Sequence, residues 1–213
     1  MFPSAAASIA PRALVSFRER FPALELSVIV ADAREALSLL RGGDLDLTLC
    51  LDGDEPDEQD APGLHYIPLL EDPMYIAFPA GHRLADLPCV ALEDLAAETW
   101  MLPTHGDRYP DVLQVLRACH AAGFEPSIAF EYDDYPALLG FVSARVGIAP
   151  IPDMISRAIR EDVVVRPVDP RLPPRAVLAA VPAGYRSHAA AAMLDILHDV
   201  SAAWIAVASL SPR

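Results

Sequence analysis

The chain has 213 residues, 53% of them hydrophobic and 22% charged, which excludes a disordered segment and suits one large domain or two small lobes around a sizeable core. Its net charge is -14, every basic residue is arginine or histidine, and lysine and asparagine are absent. An acidic balance of this size disfavours direct binding to phosphate backbones, which depends on clustered cations.

In chain order, Ser4 follows Phe2-Pro3 as an N-cap candidate. Ile9, Ala13 and Phe17 then form a helical stripe that ends before Phe21-Pro22. Pro11 is expected to kink that helix by freeing the Ala7 carbonyl. Leu24 to Val30 is rich in branched apolar residues and reads as a buried strand. Asp32-Ala33-Arg34-Glu35 has capping-box spacing before a helix with Ala36, Leu37 and Leu40 inward. Gly42-Gly43 stops that helix, and Leu45 to Leu51 is the next strand. Helix, strand, helix, strand with short connections predicts a parallel sheet covered by helices. In such sheets ligands gather beyond the carboxyl ends of the strands. The glycine pair joins a helix to a strand at the opposite edge, so it reads as a C-cap and turn rather than a phosphate cradle. Asp46, inside the strand that follows, reads as a structural carboxylate satisfied by neighbouring donors.

Residues 52–60 form an acidic loop with Asp57 and Gly63 where an EF-hand needs Gly and Glu, so a solvated loop is the better reading. Leu64 to Leu70 and Met74 to Pro79 are strand candidates, and Ala80 to Arg83 looks like a crossover between lobes. A second alternating unit follows. It has a short helix over Val90 to Ala97, a strand over Thr99 to Leu102 and a helix over Asp111 to Ala122 ended by Gly123. Then come a strand with Ile128, Phe130 and Tyr132 alternating, a helix over Tyr135 to Arg145, and a brief strand over Ile148 to Ile151. Val163 to Val168 and Arg175 to Val181 are late strands, and Ser187 caps a last helix with Met193, Leu194, Leu197, Val200 and Trp204 as its stripe. No apolar stretch is both long and free of charge, so no membrane segment is expected. No secretory signal is expected either, because Pro3 and Pro11 interrupt the apolar start.

Five phrases in order resemble the effector-binding domain of LysR-type transcriptional regulators. They are FPSAAASIAPRALVSFRERFPALELSV, EALSLLRGGDLDLTL, PLLEDPMYIAFPAGHRLA, LEDLAAETWMLP and GFVSARVGIAPIPDM. The resemblance covers essentially the whole chain. It implies an α/β architecture of two Rossmann-like lobes with the type II periplasmic-binding-protein fold, joined by two crossover strands with an effector cleft between them. Lobe I is expected at residues 1–78 plus 178–213, and lobe II at residues 79–177. Members carry a helix-turn-helix and linker helix before this region; neither is in this sequence, nor is the strand the family places just before Phe2. DNA contact is therefore expected only through that absent part.

The resemblance also directs attention to particular residues. Ser4 reads either as an ordinary N-cap or as an effector contact at a helix start. Asp32 and Ala33 stand where the family often has Ser or Thr; Ala33 has no hydroxyl, and Asp32 would repel a carboxylate effector unless its side chain is engaged as the cap. Cys50 ends the strand that leads to the same edge. Pro103, Thr104 and His105 follow a lobe II strand, as ligand groups or as a plain polar loop. Catalysis has no support: Ser187-His188 is a neighbouring pair without a nucleophile elbow, and the six histidines form no H-E-x-x-H pattern. Cys50, Cys89 and Cys119 show no C-x-x-C spacing, which argues against a disulfide framework or a zinc site and for reduced thiols. No metal or cofactor is expected.

The expected function is the small-molecule sensing domain of a cytoplasmic LysR-type regulator, working as a homodimer, or a tetramer in the full-length protein. Effector binding would change the lobe angle and pass that change to the absent DNA-binding domains. The alternative is a solute-binding protein of a transport system with the same fold.

Overall fold

The computed structural model describes residues 1–54, 63–103, 109–132, 134–184 and 187–208. The chain divides into two compact units. Unit 1 is Met1–Glu71 with the described residues from Ala176 onward, and unit 2 is Asp72–Arg175.

Unit 1 opens with a four-residue helix α1 (Pro3–Ala6) and a longer α2 (Ile9–Arg20). The expected kinked helix is thus two helices, broken at Ala7-Ser8. Pro11 is the reason: it lacks an N–H and its ring clashes with the carbonyl four residues back, so it is tolerated only in a first turn. The Ser8 hydroxyl covers the break by donating to the Ser4 carbonyl at 2.6 Å. Ser4 is not the N-cap. Phe2 takes that position, Pro3 supplies the first helical residue, and Ser4 lies one residue further in and is buried.

The predicted strand Leu24 to Val30 forms no strand, and its large apolar residues are exposed. Helix α3 (Ala33–Gly42) is built as its sequence dictates. The Asp32 carboxylate accepts the Glu35 N–H at 2.8 Å, and Gly43, at φ 82°, closes the other end with its N–H on the Leu39 and Leu40 carbonyls. Strand β1 is Thr48–Leu51, so the expected strand loses Leu45 to Leu47, and Asp46 is exposed rather than inside a ladder. After β2 (Leu64–Asp72) the chain leaves for unit 2 and returns as the strand Arg175–Pro182, which becomes the middle of a three-stranded sheet between β1 and β2. Its ladder with β1 is antiparallel, Thr48 opposite Ala180 and Leu51 opposite Val177, which corrects the all-parallel expectation for this sheet. Leu37 and Leu40 of α3 pack with Cys50, Leu178 and Ala180 beneath it. The last helix, His188–Ala208, is long and apolar enough by composition to cross a membrane. It carries Asp195 and Asp199, however, and it packs against α2 with Ile196, Leu197 and Trp204 buried.

Unit 2 is built on β3 (Met74–Pro79), flanked by two antiparallel neighbours that its later chain supplies, β7 (Ala149–Pro152) and β8 (Val163–Arg166). Between them in sequence, β4 (Val90–Ala91) runs into a 3-10 turn at Leu92–Leu95 instead of the expected short helix. Strand β5 (Thr99–Pro103) pairs in parallel with β6 (Ser127–Tyr132) and touches Ile148 through a parallel bridge at Trp100. Strand β9 (Val168–Asp169) pairs in parallel with β4, and the returning strand of unit 1 is β10. Helices α4 (Pro110–Ala121), α5 (Tyr135–Ser143) and the short α6 (Asp153–Ser156) complete the unit, and the last helix of unit 1 is α7.

Two apolar clusters hold unit 2. Phe78, Leu92, Leu95, Trp100 and Val115 form one, and Met101, Leu138, Val142 and Ile151 the other. Each such side chain, fully removed from water, contributes about 1.5–3 kcal/mol. The Trp100 indole N–H is satisfied by the Leu95 carbonyl at 3.3 Å. On the edge strand β6 the alternation of Ile128 and Phe130 does not lead inward; these side chains are 48% and 52% exposed.

Candidate functional site

Within unit 1 the predicted residues gather at one end. The Ala31 N–H donates to the Met1 carbonyl at 3.1 Å, which ties the turn Asp32-Ala33 to the start of α1 and so to Ser4. Ala33 and Cys50 share the apolar cluster under α3 and β1. The first turns of α1 and α3 are thus linked through Met1 and Ala31, and α3 packs over β1. Asp32 does not present a free carboxylate there, since one of its oxygens is held by the Glu35 N–H. Cys50 is fully buried and Cys119 likewise, whereas Cys89 is exposed. In unit 2, Pro103 ends β5 and is half-buried. Thr104 and His105 lie outside the described residues. Ser187 accepts the Ala190 N–H at 3.2 Å at the start of α7, the capping role read from the sequence.

A second polar constellation was not legible in the sequence. Asp72 and Arg175, the first and last residues of unit 2, form a buried ion pair. Both Nε and Nη2 of Arg175 donate to Asp72 Oδ2, Nε at 3.2 Å, and Nη1 reaches Asp111 Oδ2 at 3.5 Å. The other Asp72 oxygen accepts the Met154 N–H at 3.0 Å, in the first turn of α6. Burial pushes the Asp72 carboxyl up, against the pull of Arg175 and the Met154 N–H. Desolvation works against the Arg175 cation, but Asp72, Tyr135 and Asp111 outweigh it and hold the guanidinium above its usual value. The Tyr135 hydroxyl stands in the same network, and desolvation pushes its pKa up to about 12. The pair is saturated with partners, so its chemistry is anchoring: it pins the two chain crossings of unit 2 to α4 and α6. Asp72 and Arg175 are 103 residues apart, and only their charge beside apolar strand sequence hints at burial.

Among the described residues no group of three or more His, Cys, Asp or Glu side chains is placed to hold a metal ion.

A family model described as the LysR substrate binding domain matches residues 1–202. The chain belongs to this family. It is 26% identical over 168 residues to the HTH-type transcriptional regulator AlsR of Bacillus subtilis, covering 78% of this chain and 53% of AlsR. The LysR-type chain thus spans about half the length of that relative. Its fold matches the effector binding domain of QuiR in complex with shikimate, at TM-score 0.79 and 20% identity over 95% of this chain and 94% of QuiR's. It also matches the BenM effector binding domain with its effector benzoate, at TM-score 0.81 and 19% identity over 95% and 90% of the two chains. The mixed α/β, two-lobed, periplasmic-binding-protein-like architecture expected from the sequence is therefore the architecture of this LysR-type domain.

Proposed function

We propose that this LysR-type domain is the ligand-sensing part of a cytoplasmic transcription factor and not an enzyme. Unit 1 would contribute Ser4, Asp32, Ala33 and Cys50 to effector binding, and unit 2 would contribute Pro103, Thr104 and His105. The observation that carries the reading is the family match over residues 1–202. The naming of AlsR as an HTH-type regulator favours this role over a transporter's solute-binding protein. Benzoate and shikimate, the ligands of BenM and QuiR, are both carboxylates, so a small carboxylate is the effector class to try first. Subunits would pair as a homodimer, for which the exposed Ile128 and Phe130 offer apolar surface. DNA contact would belong to a helix-turn-helix region that this sequence does not contain.

The test is calorimetry and thermal shift against a panel of small carboxylates, including benzoate and shikimate, with Ser4→Ala and Thr104→Ala alongside. Losing one ligand hydrogen bond of about 0.5–1.5 kcal/mol should weaken binding roughly 2- to 13-fold in each variant. Affinity unchanged in both variants would sink the site assignment, and a panel without any binder would count against the carboxylate class.

A further inference from the structure

Strands β5 and β6 of unit 2 run parallel, with Pro103 and Tyr132 opposite each other at their carboxyl ends. In sequence β5 is followed by α4, which begins at Pro110, and β6 by α5, which begins at Tyr135. The carboxyl edge of such a pair is where ligands gather in α/β sheets. The Arg175 guanidinium reaches the starts of both helices. Its Nη1 lies 3.5 Å from Oδ2 of Asp111, the second residue of α4, and the Tyr135 hydroxyl oxygen accepts a hydrogen bond from the same group.

Anchoring Asp72 does not require that reach. Nε and Nη2 already hold the Asp72 carboxylate, and a compact point charge would serve it as well. Arg175 instead shares one cation between two carboxylates and a phenol, whereas a pair selected for stability alone would close on a single acid. The two acids are not equivalent. Asp72 is fully buried and held by two donors of Arg175, while the Asp111 side chain is 15% exposed and sits at the longer contact, so the Asp111 end is the one that can shift. Asp72 also accepts the Met154 N–H in the first turn of α6, the helix after β7. One arginine thus bears on the helix starts that follow β5, β6 and β7.

We propose that Arg175 is a positioning residue of the effector site in unit 2. Through Asp111 and Tyr135 it sets the starts of α4 and α5 at the carboxyl edge of β5 and β6, and through Asp72 it ties that edge to the first and last residues of the unit. Arg175 itself touches no ligand in this role; it fixes the frame in which Pro103 and the start of α4 are presented. A ligand held at this edge bears on the Asp111 contact, and so on the residue at which the chain leaves unit 2. The role rests on the effector reading given above.

The test combines Asp111→Asn with Tyr135→Phe, which removes both reaches and keeps the pair of Asp72 and Arg175. Hydrogen exchange without ligand is read at Leu113 and Leu138, whose N–H groups bond the Tyr109 and Asp134 carbonyls at 3.0 and 3.1 Å, with Met101 and Ile148 in β5 and beside it as internal reference. Exchange at Leu113 and Leu138 should rise about 10-fold while the reference amides hold. Affinity for benzoate or shikimate should fall about 10-fold with little change in the urea midpoint, because the frame is no longer preorganised. Arg175→Lys, which keeps a charge beside Asp72 but has no planar fork, should show the same two changes. Unchanged exchange at Leu113 and Leu138 overturns the proposal, and so does exchange that rises equally at the reference amides, since Arg175 then only anchors. Faster local exchange with unchanged affinity overturns it and leaves the effector reading standing. If neither benzoate, shikimate nor any other carboxylate of the panel binds the parent chain, the carboxylate reading falls and this role falls with it.

Discussion

Units 1 and 2 draw on the same kinds of sequence and use them differently. In unit 2 the predicted strands Met74 to Pro79, Thr99 to Leu102 and Ser127 to Tyr132 all find ladders, because each has a partner supplied within Asp72–Arg175. In unit 1 the equally apolar Leu24 to Val30 finds one rung, at Met1, and leaves its side chains exposed. Strand propensity is thus a statement about fitting a half-buried surface, and it is realised only where the surface exists.

The contrast is broken most forcefully at Arg175. Arg175→Met leaves the Asp72 carboxylate buried without its cation, and should cost about 3–5 kcal/mol in urea denaturation. Asp72→Asn combined with Arg175→Met should recover most of that loss; a double variant as unstable as the single one would show that the anchoring is steric rather than ionic. A smaller effect is expected at Gly147, whose missing Cβ would lie 2.6 Å from the Thr99 carbonyl oxygen, beside the bond from the Ile148 N–H to that oxygen at 2.8 Å. Gly147→Ala should push β5 and β7 apart at about 1–3 kcal/mol, seen as a lowered melting temperature. The smallest effect belongs to unit 1. Val28→Asp on this chain, at a position 45% exposed, should change stability by less than about 0.5 kcal/mol. A loss as large as that at Gly147 would mean that Val28 is already packed, and the difference between the units would disappear.

The capping residues were readable because capping is local. Asp32 with Glu35, Gly43, and Ser187 with Ala190 each satisfy helix-end groups within three or four positions, so the residues that make the contact are the ones that spell it. Ser4 was misread as a cap for an equally local reason: Pro3 favours the first helical position and moved the cap back to Phe2. Of the candidate effector residues of unit 1, the Asp32 cap was legible from its local spacing, whereas the strand expected to lead into Asp32-Ala33 does not form, and only the bond from the Ala31 N–H to the Met1 carbonyl ties that turn to the start of α1.

The sequence by itself determined the helix ends at Asp32, Gly43 and Ser187, which residues are apolar enough to be buried, and which family phrases run through the chain. Tertiary structure decided which extended segments became strands, that β1 pairs antiparallel with a segment more than 120 residues away, and that Asp72 meets Arg175. The physical reason is range. A helix satisfies its backbone from its own neighbours, whereas a strand or a buried charge is completed only by a partner that the rest of the fold must deliver.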